Sequence, residues 1–161
     1  MLIEMTIKGL TVDPVTNMPI VILHDEQERR VLPIWVGVFE ANAIALQIEN
    51  VHTPRPMTHD LLRNVIHDMQ ATVVRVVVSD VKDNTFFATI HLNTPAGQVT
   101  VDARPSDAIA LALRTRAPIL VEEHVIENAK TIELTDAKID GDRLHQWLEN
   151  LDPDDLGKYK M

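Results

Sequence analysis

A handful of polar side chains stand where segment starts could put them to chemical use. The first group is Asp102-Ala103-Arg104-Pro105-Ser106-Asp107, at the join of a predicted strand and a predicted helix. The first N–H groups of a helix and the positive end of its dipole favour anions. A guanidinium beside them has a fork of donors that fits a phosphate. Asp107 near the third helical position and Ser106 in the first turn would equally stabilise a helix start with no ligand at all. The second group is Arg55-Pro56-Met57-Thr58-His59-Asp60, where a stiff loop runs into a helix. His59 could act as general base or metal ligand, with Asp60 orienting it. His59, Arg63 and His67 recur every four residues and form one stripe, which a merely solvated helix face would also show. The third is Glu40, in the first turn of another helix, where a carboxylate suits the dipole with or without a ligand. Trp35 reads as core rather than as a platform for stacking a base.

The elements that must position these residues follow from hydrophobic period and turn chemistry. Residues 2–12 alternate, with Ile3, Met5 and Ile7 on one face, as a half-buried strand should. Asp13-Pro14 to Asn17 is a turn, and strands are predicted at 18–24 and 31–36 around a polar hairpin. Gly37 ends the third strand, and a helix follows over 40–49. After Thr53-Pro54-Arg55-Pro56, Thr58 is the expected N-cap of a helix over 59–69. Leu61, Leu62, Val65, Ile66 and Met69 form its expected apolar face. Strands at 72–80, 86–92 and 98–102 come next, with Val99 and Val101 facing a core and Asp102 turned the other way. A helix over 105–115 opens on Pro105, a favoured first-turn residue. A short strand at 119–121 and a helical turn at 122–126 complete this region.

The two halves share an order of elements and a residue match. Asp13, Asn17 and His24 lie 67 positions before Asp80, Asn84 and His91, and Ala43-Ile44-Ala45-Leu46 lies 65 before Ala108-Ile109-Ala110-Leu111. An internal duplication of a β-β-β-α unit is therefore expected. At the 65-residue spacing Glu40 stands opposite Pro105 and Asn42 opposite Asp107. The fold class is α+β: a mixed or antiparallel sheet packed with helices. The domain spans 1–127, and 128–161 is an acidic extension with one short helix in 139–151, carrying Leu144, Trp147, Leu148 and Leu151.

Charge and composition narrow the function. The net charge is −9, but residues 1–121 hold 10 basic and 13 acidic side chains against 5 and 11 in 122–161, so the acidity sits mainly in the tail. No basic run marks a strong, sequence-independent binder of nucleic acid. Folding could still gather Arg55, Arg63, Arg75, Arg104, Arg114 and Arg116. Zero cysteines exclude disulfides and thiol–zinc sites. With no signal peptide and no apolar run of spanning length, the expected location is cytoplasmic. Phosphate-loop, dinucleotide, zinc-protease and nucleophile-elbow motifs are absent.

Three segments resemble a known family. Leu32-Pro33-Ile34-Trp35-Val36-Gly37 with Glu40-Ala41-Asn42-Ala43-Ile44-Ala45, then Arg55-Pro56-Met57-Thr58-His59-Asp60-Leu61, then Asp102-Ala103-Arg104-Pro105-Ser106-Asp107-Ala108-Ile109-Ala110-Leu111-Ala112 are similar, in this order, to the signatures of the bifunctional nuclease domain. The resemblance spans roughly residues 1–127. It implies cleavage of both RNA and DNA, the activity attributed to plant relatives, and it places Glu40, His59, Asp60, Asp102, Arg104 and Asp107 in matching positions. The expected protein is a metal-assisted phosphodiesterase. Asp102, Asp107, His59 and Glu40 form its catalytic set, and Arg104 and Arg55 grip phosphate. Magnesium or manganese would be held by Asp102, Asp107 and Asp60 through oxygen ligands. The alternative is a non-enzymatic module that binds a small anion or a nucleotide. RNA or DNA is the expected partner, and a homo-oligomer, most simply a two-fold dimer, is the expected assembly.

Overall fold

The computed structural model describes residues 1–129. The alternating amino terminus forms β1 (Leu2–Val12), which pairs antiparallel with β2 (Pro19–Asp25), and β2 pairs with β3 (Val31–Trp35). Helices α1 (Val38–Ile48) and α2 (Thr58–Asp68) follow. A second antiparallel set, β4 (Thr72–Lys82), β5 (Thr85–Thr94) and β6 (Gly97–Ala103), leads into α3 (Pro105–Thr115). Strand β7 (Ile119–Glu122) and the short α4 (Glu123–Asn128) close the described chain. The strands make one seven-stranded mixed sheet in the order β3-β2-β1-β7-β4-β5-β6. β7 joins its halves, antiparallel to β1 and parallel to β4. The fold is α+β, as the hydrophobic pattern implies.

The order β-β-β-α occurs twice, as β1–β3 with α1 and as β4–β6 with α3. The two hairpin residues Asn17 and Asn84 both adopt a left-handed conformation, with φ of 60 and 62 degrees, which asparagine tolerates better than most residues. By place in the helix, however, Glu40 corresponds to Asp107, since both are third residues of their helices. The 65-residue spacing sets Glu40 against Pro105 instead. Common ancestry of the halves remains an argument from sequence.

Register builds the core. Met5 stands opposite Ile119, which stands opposite Val76, and all three are buried. On the sheet lie α1, against β1 and β2, and α3, against β4 and β5, and the two helices pack on each other. Their alanines, Ala41 and Ala45 in α1 and Ala108, Ala110 and Ala112 in α3, are all buried, as small side chains at a close helix contact are. Ile44, Ile109 and Leu111 are fully buried between the layers, each stabilising the fold by about 1.5–3 kcal/mol.

Several sequence expectations need correction. Val99 and Val101 do not face a core: they are 45% and 41% exposed, because α1 and α3 lie mainly over β1, β2, β4 and β5 and leave β6 bare. Helix α2 is rotated away from its expected apolar face. Leu61, Leu62, Val65 and Met69 are exposed, Ile66 is half-buried, and His59 from the polar stripe is the buried residue of the helix. The cause is electrostatic: the first turn of α2 is anchored to α3 by charged and hydrogen-bonded pairs described below. These fix the rotation that apolar period alone would have set differently. Thr58 is the first helical residue rather than the N-cap, a place taken by Met57, whose backbone N–H donates to Asp60 Oδ2 at 2.9 Å. Trp35 is half-buried, donates its indole N–H to Asp13 Oδ2 at 3.0 Å, and is not part of the core expected for it. The helix expected in 139–151 and the rest of the extension lie outside the described residues.

Candidate active site

Three helices begin close together, and each carries a carboxylate as its third residue: Glu40 in α1, Asp60 in α2 and Asp107 in α3. A carboxylate there interacts well with the helix dipole. What it does further depends on the cation that meets it. Arg104, the residue before α3, donates from Nη2 to Glu40 Oε1 at 2.8 Å and from Nε to Asp107 Oδ2 at 3.0 Å. The other oxygen of Asp107 lies 2.9 Å from His59 Nε2. A continuous chain, Glu40–Arg104–Asp107–His59, therefore runs across the starts of α1, α3 and α2. His59 and Glu40 are mostly buried, whereas the Arg104 side chain is 66% exposed. Its hydrogen bonds to Glu40 and Asp107 hold the Arg104 guanidinium even more firmly protonated than usual. Its Nη1 has no partner among the described residues, so the exposed end of the fork remains open to an anion.

Gly37 helps to set this arrangement. A Cβ at that position would collide with the Glu40 carboxylate, which folds back over the start of α1. The backbone of Gly37 is ordinary extended chain, with φ of −67 degrees. Its role is space for Glu40, not conformational freedom.

Asp60 faces a different partner from its neighbour His59. Its Oδ1 accepts from Arg114 Nε at 2.7 Å. Arg114 is 1% exposed, and it also donates from Nη1 to the Ala110 carbonyl and from Nη2 to the Ala43 carbonyl. One guanidinium thus ties α1, α2 and α3 together directly beneath the site. Sequence reasoning placed Arg114 only among arginines that folding could gather. The overlooked signal was its helical spacing: Asp107, Leu111 and Arg114 fall on one face, so the arginine had to enter the packed side.

Burial alone would raise the Asp60 pKa, but the Met57 N–H, the Arg114 hydrogen bond and charge, and the Arg63 charge together hold it below its ordinary 3.8. A depressed carboxyl stabilises the folded state fully above its unfolded value and loses that contribution as pH falls through the folded one. Wild type should therefore lose thermal stability between about pH 5 and about pH 3 more steeply than Asp60→Asn. Parallel loss in the two proteins would show that the Asp60 pair carries no pH-linked stability.

The predicted site residues divide clearly. Glu40, His59, Arg104 and Asp107 come together. Asp60 lies one residue from the cluster but is committed, through both oxygens, to Met57 and Arg114. Arg55 is exposed on the loop before α2 and lines a cleft on the Asp60 side rather than meeting Arg104. Asp102 is exposed on β6 opposite Thr89, on the other side of the strand from Val101, and forms no hydrogen bond or ion pair among the described residues. The ligand set Asp102, Asp107 and Asp60 is accordingly not gathered. Among the described residues no three histidine or acidic side chains are grouped to hold a cation. As they stand, these donors do not fit a resident magnesium or manganese ion, since Asp60 is saturated and a guanidinium already separates Glu40 from Asp107.

The profile of the Bifunctional nuclease domain matches residues 21–133, which is more than half of the chain and takes in every member of the cluster. The chain belongs to the bifunctional nuclease domain family. It is 35% identical to an uncharacterized protein of Mycobacterium tuberculosis (strain CDC 1551 / Oshkosh), over 95% of this chain and 97% of the relative. It is 29% identical over 119 residues to Bifunctional nuclease 2 of Oryza sativa subsp. japonica, and 28% identical over 109 residues to Bifunctional nuclease 2 of Arabidopsis thaliana. Those matches cover 71% and 66% of this chain but 36% and 33% of the plant proteins. The plant bifunctional nucleases thus share the domain and extend well beyond it. Among the described residues no helix is long and apolar enough to cross a membrane.

Proposed function

We propose that this protein hydrolyses phosphodiester bonds in RNA, DNA or both, at the Glu40–Arg104–Asp107–His59 cluster. The observation that carries the reading is one carboxylate, Asp107, holding a histidine on one oxygen and a largely exposed arginine on the other. Arg104 binds a phosphate oxygen through the exposed part of its fork and stabilises charge as it develops there. Glu40 keeps that guanidinium aimed. Asp107 accepts from His59 Nε2, which leaves Nδ1 to take a proton from the attacking water or hydroxyl. The imidazolium that forms is stabilised by the same carboxylate. The names of the plant relatives support the substrate class.

The test is release of acid-soluble nucleotides from single-stranded RNA and DNA by purified full-length protein, compared with Asp107→Ala and Asp102→Ala. Activity should collapse in the first variant and stay within about tenfold of wild type in the second, because Asp102 orients neither His59 nor Arg104. Cleavage undiminished in Asp107→Ala would locate the chemistry elsewhere or in a contaminant. No step above is routed through a metal. A metal-assisted form would require Arg104 to leave Glu40 and Asp107, because its guanidinium occupies both carboxylates in the arrangement described. Loss of activity in EDTA, restored by manganese, would establish that form. Tight nucleotide binding without turnover would instead favour a non-enzymatic anion-binding module. A two-fold homo-oligomer in the cytoplasm completes the proposal, and light scattering of the purified chain checks the assembly.

A further inference from the structure

Beside the cluster, across the first turn of α2, the loop before α2 and the end of α1 enclose a cleft of about 310 Å³. It is lined by His52, Thr53, Arg55, Asp60, Arg63 and Arg114, among others. Among the described residues its only lining carboxylate is Asp60, and the buried Arg114 neutralises it. Arg55 and Arg63 have no acidic partner within ion-pair distance among the described residues, and Arg63 reaches only its neighbour Asn64, at 3.1 and 3.3 Å. A protein of net charge −9 thus concentrates two uncompensated guanidinium groups in one concave, polar place. Prolines 54 and 56 stiffen the loop that presents Arg55. Ordinary surface arginines are paired or dispersed. Two left without acidic partners around a cleft attract an anion with more than one charge-bearing group.

We propose that this cleft is a phosphate-binding track for a single-stranded polynucleotide, which holds phosphates flanking the bond that the cluster attacks. The assignment rests on the nuclease reading for the identity of its ligand. Consecutive residues link the two places: His59 faces Asp107 in the cluster, and Asp60 faces the cleft. One strand can therefore run across the start of α2 and touch both. A concavity of about 310 Å³ favours a single strand, whose phosphates can turn into it, over a duplex, which would meet only the rim. The substrate class that follows is an oligonucleotide several residues long, bound better than a mononucleotide or a small phosphodiester.

The experiment measures fluorescence anisotropy of a labelled oligothymidylate of about ten nucleotides against full-length wild type and Arg55→Ala/Arg63→Ala, over a range of salt. Both arginines are exposed, and the double variant should keep the wild-type melting temperature. Its affinity at low salt should fall about tenfold or more. The slope of log K against log salt should shrink by about 1.4, or about 0.7 for each single-strand phosphate that is no longer neutralised. Thymidine monophosphate should compete poorly for wild type. Equal affinity and equal slope in the two proteins, or no binding by wild type, would overturn the proposal. Equally effective competition by the monophosphate would overturn the assignment to a polymer. Failure here is distinguishable from failure of the nuclease reading. If only the cleft is misassigned, Asp107→Ala still abolishes cleavage, while the arginine variant cleaves with an unchanged KM. If only the cluster is misassigned, the salt-dependent binding persists and cleavage ignores Asp107.

Discussion

Replacing Asp107 with asparagine is expected to slow cleavage of single-stranded RNA by about 10²–10⁴-fold while leaving the melting temperature nearly unchanged. The asparagine fits the same space at the third position of α3, so the packing of the helix start survives. What it loses is specific. Asp107 presents one acceptor to His59 Nε2 and one to Arg104 Nε. An amide has a single carbonyl oxygen, so one of those two donors would face its NH2 group instead. If the carbonyl turns to Arg104, the histidine is released from its orientation and its protonated form loses a stabilising charge. If it turns to His59, the arginine is held by Glu40 alone. Either outcome damages acid–base chemistry or phosphate binding, and the removed negative charge damages both. Steady-state kinetics over a range of pH would read the effect mainly in kcat. A rate within about threefold of wild type would remove proton transfer at this dyad as an explanation for any activity.

Arg114→Met should destabilise the protein by about 3–5 kcal/mol, read as a lowered midpoint in urea. Methionine replaces much of the volume but none of the three hydrogen bonds. The Asp60 carboxylate would be left largely buried with its main cation gone, and the Ala43 and Ala110 carbonyls would each lose a donor. Arg114→Lys should recover little, because an ammonium on a flexible stem cannot address three acceptors held in a planar fork's directions. Asp60→Asn combined with Arg114→Met should recover part of the loss, since the stranded charge disappears with its partner. A single variant within about 1 kcal/mol of wild type would mean that water or rearrangement satisfies the acceptors at small cost.

Much of the architecture is legible in the sequence because its strands and helices obey simple periods. The helix expected over about 105–115 is found at Pro105–Thr115, with Pro118 beyond its end. The strand over 2–12 is equally clear from its alternation. Helix α2 shows where that reasoning stops. Its apolar stripe is plain, but period alone cannot say which side a helix turns inward when hydrogen-bonded charges compete with apolar area. Here His59 and Asp60 are fixed by Asp107 and Arg114, 48 and 54 residues away in the chain. No local pattern contains such partners. The site shows the same limit. Motif positions suggest that Glu40, His59, Arg104 and Asp107 belong together, and they do. The same motifs include Asp102, which strand pairing carries to an exposed edge. They omit Arg114, which an alanine-rich sequence makes look like an ordinary helix-end cation.

The rotated seating of α2 bears on when the site exists at all. Most of a helix's resistance to local opening comes from apolar area shut away from water, and here Leu61, Leu62, Val65 and Met69 contribute little of it. What docks the helix is Ile66 and a small number of directional bonds at its first turn. His59 therefore rides on a segment held by hydrogen-bonded pairs more than by apolar contact. Opening of that first turn becomes an event separable from global unfolding, and the polar latch that positions the base also sets how often the base is in place.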